Sequence, residues 1–126
     1  MSRDLIAELQ QRYGDAPLVA RVLAARPEVA VPGALKNSAI LRNSPLGDRV
    51  AELVAIGAAA ALRCEHCLNV HVKQALRAGA SEEELLSAML IAGVISESST
   101  QAYAFRALDR AKRDRAAEER ENTRGK

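Results

Sequence analysis

The chain is poor in aromatic residues: it has no tryptophan, two tyrosines (Tyr13 and Tyr103) and one phenylalanine, Phe105. Proteins that grip single-stranded nucleic acid stack bases on aromatic rings, so that class of function is set aside. Charge of one sign is also scarce, with 18 basic against 16 acidic side chains and a formal net charge of +2. Such a balance creates no field able to gather phosphate backbones or acidic membranes, and no nucleic-acid or membrane partner is expected. The longest apolar run, Leu53 to Leu62, is interrupted by Gly57 and stops at Arg63, well short of the roughly 18 residues that a spanning helix needs. Met1-Ser2-Arg3-Asp4 passes at once into an amphipathic stretch and lacks the apolar core of a secretory signal. The expected location is therefore cytoplasmic. Strand signals are missing too, because no segment sustains period-two alternation between turn dipeptides.

What the chain does contain is helix formers. Alanine fills about a fifth of its 126 positions, and Leu, Glu, Arg and Gln fill much of the rest. The reading is an all-α domain with a bundle of about six helices over residues 1–117, followed by a charged, frayed tail at 118–126. Spacing predicts helices over Asp4–Tyr13 and from Asp15 to near Arg26, with Pro27 ending the second. A less regular helix is expected over Val31–Arg42, before the breakers Asn43-Ser44-Pro45. A long Ala-rich helix is expected from Gly47 or Asp48 to Leu62, apolar on much of its circumference and hence central. The pattern restarts at Cys64 and closes at Ala78-Gly79. Ser81-Glu82-Glu83-Glu84 is a capping box that opens the next helix. Ser96 to Thr100 reads as a polar joint before a last helix over Ala102–Ala117.

Cysteine is almost absent, and the two that occur are placed together: Cys64-Glu65-His66-Cys67, with His71 four residues on. Two thiols cannot staple a secreted scaffold, and a Cys-x-x-Cys pair in a cytosolic chain points to redox or metal chemistry. On a helix that includes the cysteine turn, Cys64, Cys67 and His71 share a sector of about 60°. A thiolate at a helix start is stabilised by free amides and the helix dipole, which favours Cys64 as the more acidic thiol. The second thiol can close a disulfide on the first once it is oxidised, so the cycle is reversible. Glu52 stands in the otherwise apolar Val50–Ile56 stretch. Desolvation there raises a carboxyl pKa toward neutrality, which suits proton exchange with an imidazole. Glu52, His71 and a thiol form a candidate relay. Zinc is the competing use of the same residues, with His71 and either His66 or Glu52 joining the sulfurs. Mixed charges over Arg106–Arg124 nearly cancel and read as a solvated face.

Glu52, eleven residues, Cys64-Glu65-His66-Cys67, three residues, His71, and then Ala75-Leu76-Arg77-Ala78-Gly79-Ala80-Ser81-Glu82-Glu83-Glu84 together resemble the AhpD-like alkylhydroperoxidases of the carboxymuconolactone decarboxylase superfamily. The resemblance extends over about Arg26 to Leu108. It implies reduction of hydroperoxides by the cysteine pair, with electrons returned by a dithiol such as a lipoylated or thioredoxin-like protein. It also implies that Cys67 attacks the peroxide, Cys64 resolves, Glu52 and His71 relay protons, and His66 assists. No bound cofactor or resident metal is implied. On the attacking thiol the resemblance and the dipole argument differ, and a base one turn from Cys67 favours Cys67. Two other outcomes stay open: a decarboxylase-like enzyme acting on a small lactone acid, and a non-enzymatic zinc or interaction module. Short Ala-rich helices carry more apolar surface than one copy covers, so self-association is expected, and the resemblance implies trimers or hexamers.

Overall fold

Five helices and no strand make up residues 18–125, the part of the chain described by the computed structural model. They are α1 (Leu18–Leu23), α2 (Pro27–Arg42), α3 (Gly47–Leu62), α4 (Glu65–Arg77) and α5 (Glu82–Arg124). The all-α expectation holds, while the helix expected over Asp4–Tyr13 lies outside the described residues. Two compact units divide the chain at Ala92/Gly93.

The first unit packs α3 against α4, with α2 against α3 and α1 against α2. Its core is small: Ile56 of α3, Ala75 of α4, Ala80 of the following turn and Leu85 of α5 are buried together. Leu53, Leu68, Val72, Ala88 and Met89 pack around them. The buried positions of α3, Ala51, Glu52, Ile56 and Ala59, follow helical spacing along one stripe, so Glu52 is carried inward by the same face that buries Ile56. Val54 and Leu62 of the same helix are exposed in the single chain.

Helix boundaries follow local chemistry. Pro27 opens α2 instead of ending its predecessor, because proline at a first helical position costs no hydrogen bond. Pro32, expected at a helix start, lies inside α2. It leaves the Glu28 carbonyl without an amide donor, and both residues are exposed, so water can serve it. The capping box forms as the sequence predicts: the Ser81 amide donates to Glu84 Oε1 and the Glu84 amide to Ser81 Oγ, each at 3.1 Å.

In the second unit the expected polar joint is absent. Ser96 to Thr100 is helical, and α5 continues without interruption to Arg124, through the segment read as a separate helix and on into the charged 118–124 stretch. Serine and threonine weaken a helix without ending it, and no proline stands between Glu82 and Arg124 to remove a backbone donor. Side chains one turn apart support this part of the helix, with Gln101 donating to Glu97 and Arg113 paired with Asp109.

Candidate active site

A single residue connects α3 to the cysteine pair. Arg63 adopts the left-handed conformation (φ 57°, ψ 39°), which turns the chain sharply after Leu62. The Cys64 amide donates back to the Ala59 carbonyl (2.9 Å) and the Arg63 amide to that of Ala60 (3.1 Å), the Schellman pattern of a helix end. Cys64 is then the N-cap of α4, with extended backbone (φ −86°, ψ 91°), and its carbonyl accepts the first bond of that helix from Leu68 at 3.0 Å. Cys67 is the third residue of α4. This corrects the expectation that Cys64 lies inside the helix: only Cys67 and His71 share it, one turn apart. Both thiol positions flank the same free amides, so nearness to the helix start no longer separates them.

Cys64 and Cys67 are joined by a disulfide, with Cα atoms 5.3 Å apart. The exposed His66 lies against both sulfurs. Its Nδ1 and Nε2 are 3.7 and 3.8 Å from Cys64 Sγ, and Nε2 is 3.7 Å from Cys67 Sγ.

Beneath the pair, α3 and α4 bring Glu52 to His71, with Glu52 Oε2 2.7 Å from His71 Nδ1. Glu52 is fully buried, and such a carboxylate costs several kcal/mol of lost hydration unless a counter-charge meets it. Arg42, the last residue of α2, supplies that charge by donating from Nη2 to Glu52 Oε1. Its Nη1 lies 3.4 Å from Asp48 Oδ1 at the start of α3. The desolvated carboxyl expected at Glu52 beside His71 is buried, and Arg42 adds an ion-pair partner that the sequence did not indicate. Burial, and secondarily the Arg42 guanidinium, hold the His71 imidazole below its usual pKa of 6.5. At neutral pH His71 is therefore uncharged. With a carboxylate at Nδ1, the ring proton sits on that nitrogen, and Nε2 keeps a lone pair.

All five residues singled out from the sequence thus fall into two adjoining groups, Cys64/Cys67/His66 and Glu52/His71. The residues 30–110 that hold them match the carboxymuconolactone decarboxylase family over more than half of the chain. The chain belongs to that family. Its members include decarboxylases and peroxidases, and the cysteine–histidine group fits redox function of the AhpD-like kind. An uncharacterized protein of the cox locus of Paracoccus denitrificans is 29% identical over 72 residues, or 57% of this chain and 65% of the relative. The chain therefore spans just under two thirds of that curated relative. A solved structure of a Methanobacterium thermoautotrophicum protein, from the Northeast Structural Genomics Consortium, is 31% identical with a TM-score of 0.65. That similarity extends over 70% of this chain and 96% of the other.

Sequence reasoning missed Arg42 and Asp48. Nine residues, the break at Asn43-Ser44-Pro45 among them, separate Arg42 from Glu52, so no helical spacing links them. The available signal was physical: a carboxylate in an apolar helix face needs a cation, and few precede it closely. No helix among the described residues is long and apolar enough to cross a membrane.

Proposed function

We propose that this member of the carboxymuconolactone decarboxylase family is a thiol-dependent peroxidase that cycles Cys64 and Cys67 between dithiol and disulfide. The observation that carries this reading is the juxtaposition of a Cys64–Cys67 disulfide at the head of α4 with a Glu52–His71 hydrogen bond one turn below it. Neutral His71 takes the Cys67 proton on Nε2, while Glu52 orients the ring and stabilises the imidazolium that forms. The Cys67 thiolate attacks the peroxide, the O–O bond breaks, Cys67 becomes a sulfenic acid, and the alcohol leaves with a proton. Cys64 then displaces hydroxide from the sulfenic sulfur, closing the disulfide and releasing water. A dithiol partner, lipoylated or thioredoxin-like, reduces the disulfide by two exchange steps and is itself oxidised. His66, against both sulfurs, assists by donating to the developing sulfur charge.

The alternative is suggested by the family's description, decarboxylation of a small lactone acid. It leaves the disulfide without a task. Peroxide consumption by the reduced protein with a dithiol present, measured beside Cys64→Ser and Cys67→Ser, tests the proposal. Turnover that depends on both sulfurs supports it. Unchanged turnover in either variant, or activity only on lactone acids that survives cysteine alkylation, overturns it.

A further inference from the structure

We propose that in the dithiol state Cys64, His66 and Cys67 form a three-ligand site for a thiophilic divalent cation such as zinc, with water in the fourth position. One ligand atom from each of the three lies within 4.8 Å of the other two. Tetrahedral zinc, with Zn–S near 2.3 Å and Zn–N near 2.05 Å, requires S···N separations of about 3.6 Å and S···S of about 3.8 Å. His66 Nε2 already lies 3.8 Å from one sulfur and 3.7 Å from the other. The Nε2 atom therefore stands at the ligand separation from both; the sulfurs must part, and the ring, whose two nitrogens are almost equidistant from Cys64 Sγ, must turn its lone pair toward the cation. Cleavage of the disulfide allows that by side-chain rotation alone, because all three donors come from the cap and first turn of α4.

Both Glu52 oxygens are engaged, by Arg42 and by His71. His71 keeps a free Nε2 but is not in the group whose ligand atoms lie within 4.8 Å of one another, which narrows the ligand set to Cys64, His66 and Cys67. His66 is exposed and the cysteines are half-buried, so a cation has an open approach and water has room for the fourth position. Charge is also compatible. Two thiolates and a neutral imidazole cancel the double positive charge, so the positive end of α4 does not oppose the complex. Binding displaces both thiol protons to solvent and changes no oxidation state. A sulfur held by the cation is not free to attack peroxide, and disulfide formation expels the cation. This last consequence rests on the thiol cycle proposed above; the binding itself does not.

The test titrates the full chain, reduced and kept under anaerobic conditions, with Co²⁺, which reports thiolate ligation by a near-ultraviolet charge-transfer band and tetrahedral geometry by intense visible bands. One Co²⁺ per chain, displaced by Zn²⁺, is expected for the reduced protein, and no bands for the disulfide form. His66→Ala, an exposed substitution whose retained helicity is checked by circular dichroism, should weaken Zn²⁺ binding at least about tenfold, since even an outer partner of a ligand is worth that much. His71→Asn should keep the site. The proposal is overturned if the reduced wild type binds no more tightly than Cys64→Ser, or if His71→Asn abolishes binding while His66→Ala spares it. No peroxide enters this measurement. A protein that binds the cation but never turns over peroxide contradicts only the catalytic proposal, and one that cycles but binds no cation contradicts only this one.

Discussion

Arg42 is the residue whose removal separates electrostatics from position. It lowers the His71 pKa by repulsion and neutralises Glu52 by pairing, so Arg42→Gln raises the His71 pKa on the first count and loosens Glu52 on the second. The expected result is that the acid limb of peroxide-driven thiol oxidation moves to higher pH, read from a pH–rate profile. A profile displaced nowhere would deny Arg42 this role. Stability should show the complementary effect. Because the folded-state pKa of His71 is depressed, the unfolded chain binds more protons as pH falls below about 6.5, and stability is lost from there down through the lower folded value. His71→Asn should flatten that part of a plot of Tm against pH. Truncation of the buried carboxylate, Glu52→Ala, leaves Arg42 with the exposed Asp48 as its counter-charge and is expected to cost up to about 3 kcal/mol in urea unfolding, against a smaller loss for Glu52→Gln. At this scale the sequence was informative wherever chemistry sits in a short motif. Cys64, His66, Cys67 and His71 announce themselves by spacing, and Glu52 by its polarity in an apolar stretch. Arg42 announces nothing, because its link to Glu52 exists only once α2 has folded against α3.

Two turns of the same design flank α4, and they make opposite predictions. Gly79 ends α4 at φ 90°, with the Ala80 amide donating to Ala75 (2.9 Å), just as Arg63 ends α3 at φ 57°. Beyond its two chain neighbours nothing lies within 4 Å of where a Gly79 side chain would begin, so Gly79→Ala tests backbone conformation and should cost roughly 1 kcal/mol. Arg63→Gly should gain up to about the same amount, measured by the same urea titration. If neither variant shifts the midpoint, the left-handed turns do not store the conformational cost assigned to them. Elements with unambiguous caps are legible in the sequence: the helix expected from Gly47 or Asp48 to Leu62 forms over Gly47–Leu62, and the Ser81–Glu84 box forms as its spacing predicts. The helix breaks were less legible. Pro32 was read as a start and Ser96–Thr100 as a joint, because composition marks where a helix is weak, whereas an intact hydrogen-bond ladder decides whether it ends. The N-cap position of Cys64 escaped for a related reason, since cysteine is not a usual cap and the turn at Arg63 carries no glycine to signal it.

The molecule as a single chain leaves much apolar surface to solvent. Leu35, Ile40, Leu62, Leu76, Leu86 and Leu90 of the first unit are exposed, and so are Val94, Ile95, Tyr103 and Phe105 of the second. So many large apolar side chains on the outside of a 126-residue chain favour association of copies. We propose a homo-trimer or homo-hexamer, and light scattering at micromolar concentration should return a mass three or six times the 13.5 kDa of the chain. A 13.5 kDa particle would contradict it. The fold class was readable from composition because Ala-rich helices need no distant partner to declare themselves, while assembly depends on surfaces that one sequence does not pair. The central claim concerns the two sulfurs, and one measurement reaches it directly: free thiols and intact mass of the reduced protein, before and after one equivalent of hydroperoxide. The account predicts that two thiols become none and that the mass falls by about two units, as an intramolecular disulfide requires. Thiols that persist, or a mass that rises by whole oxygens without closing the pair, would contradict it.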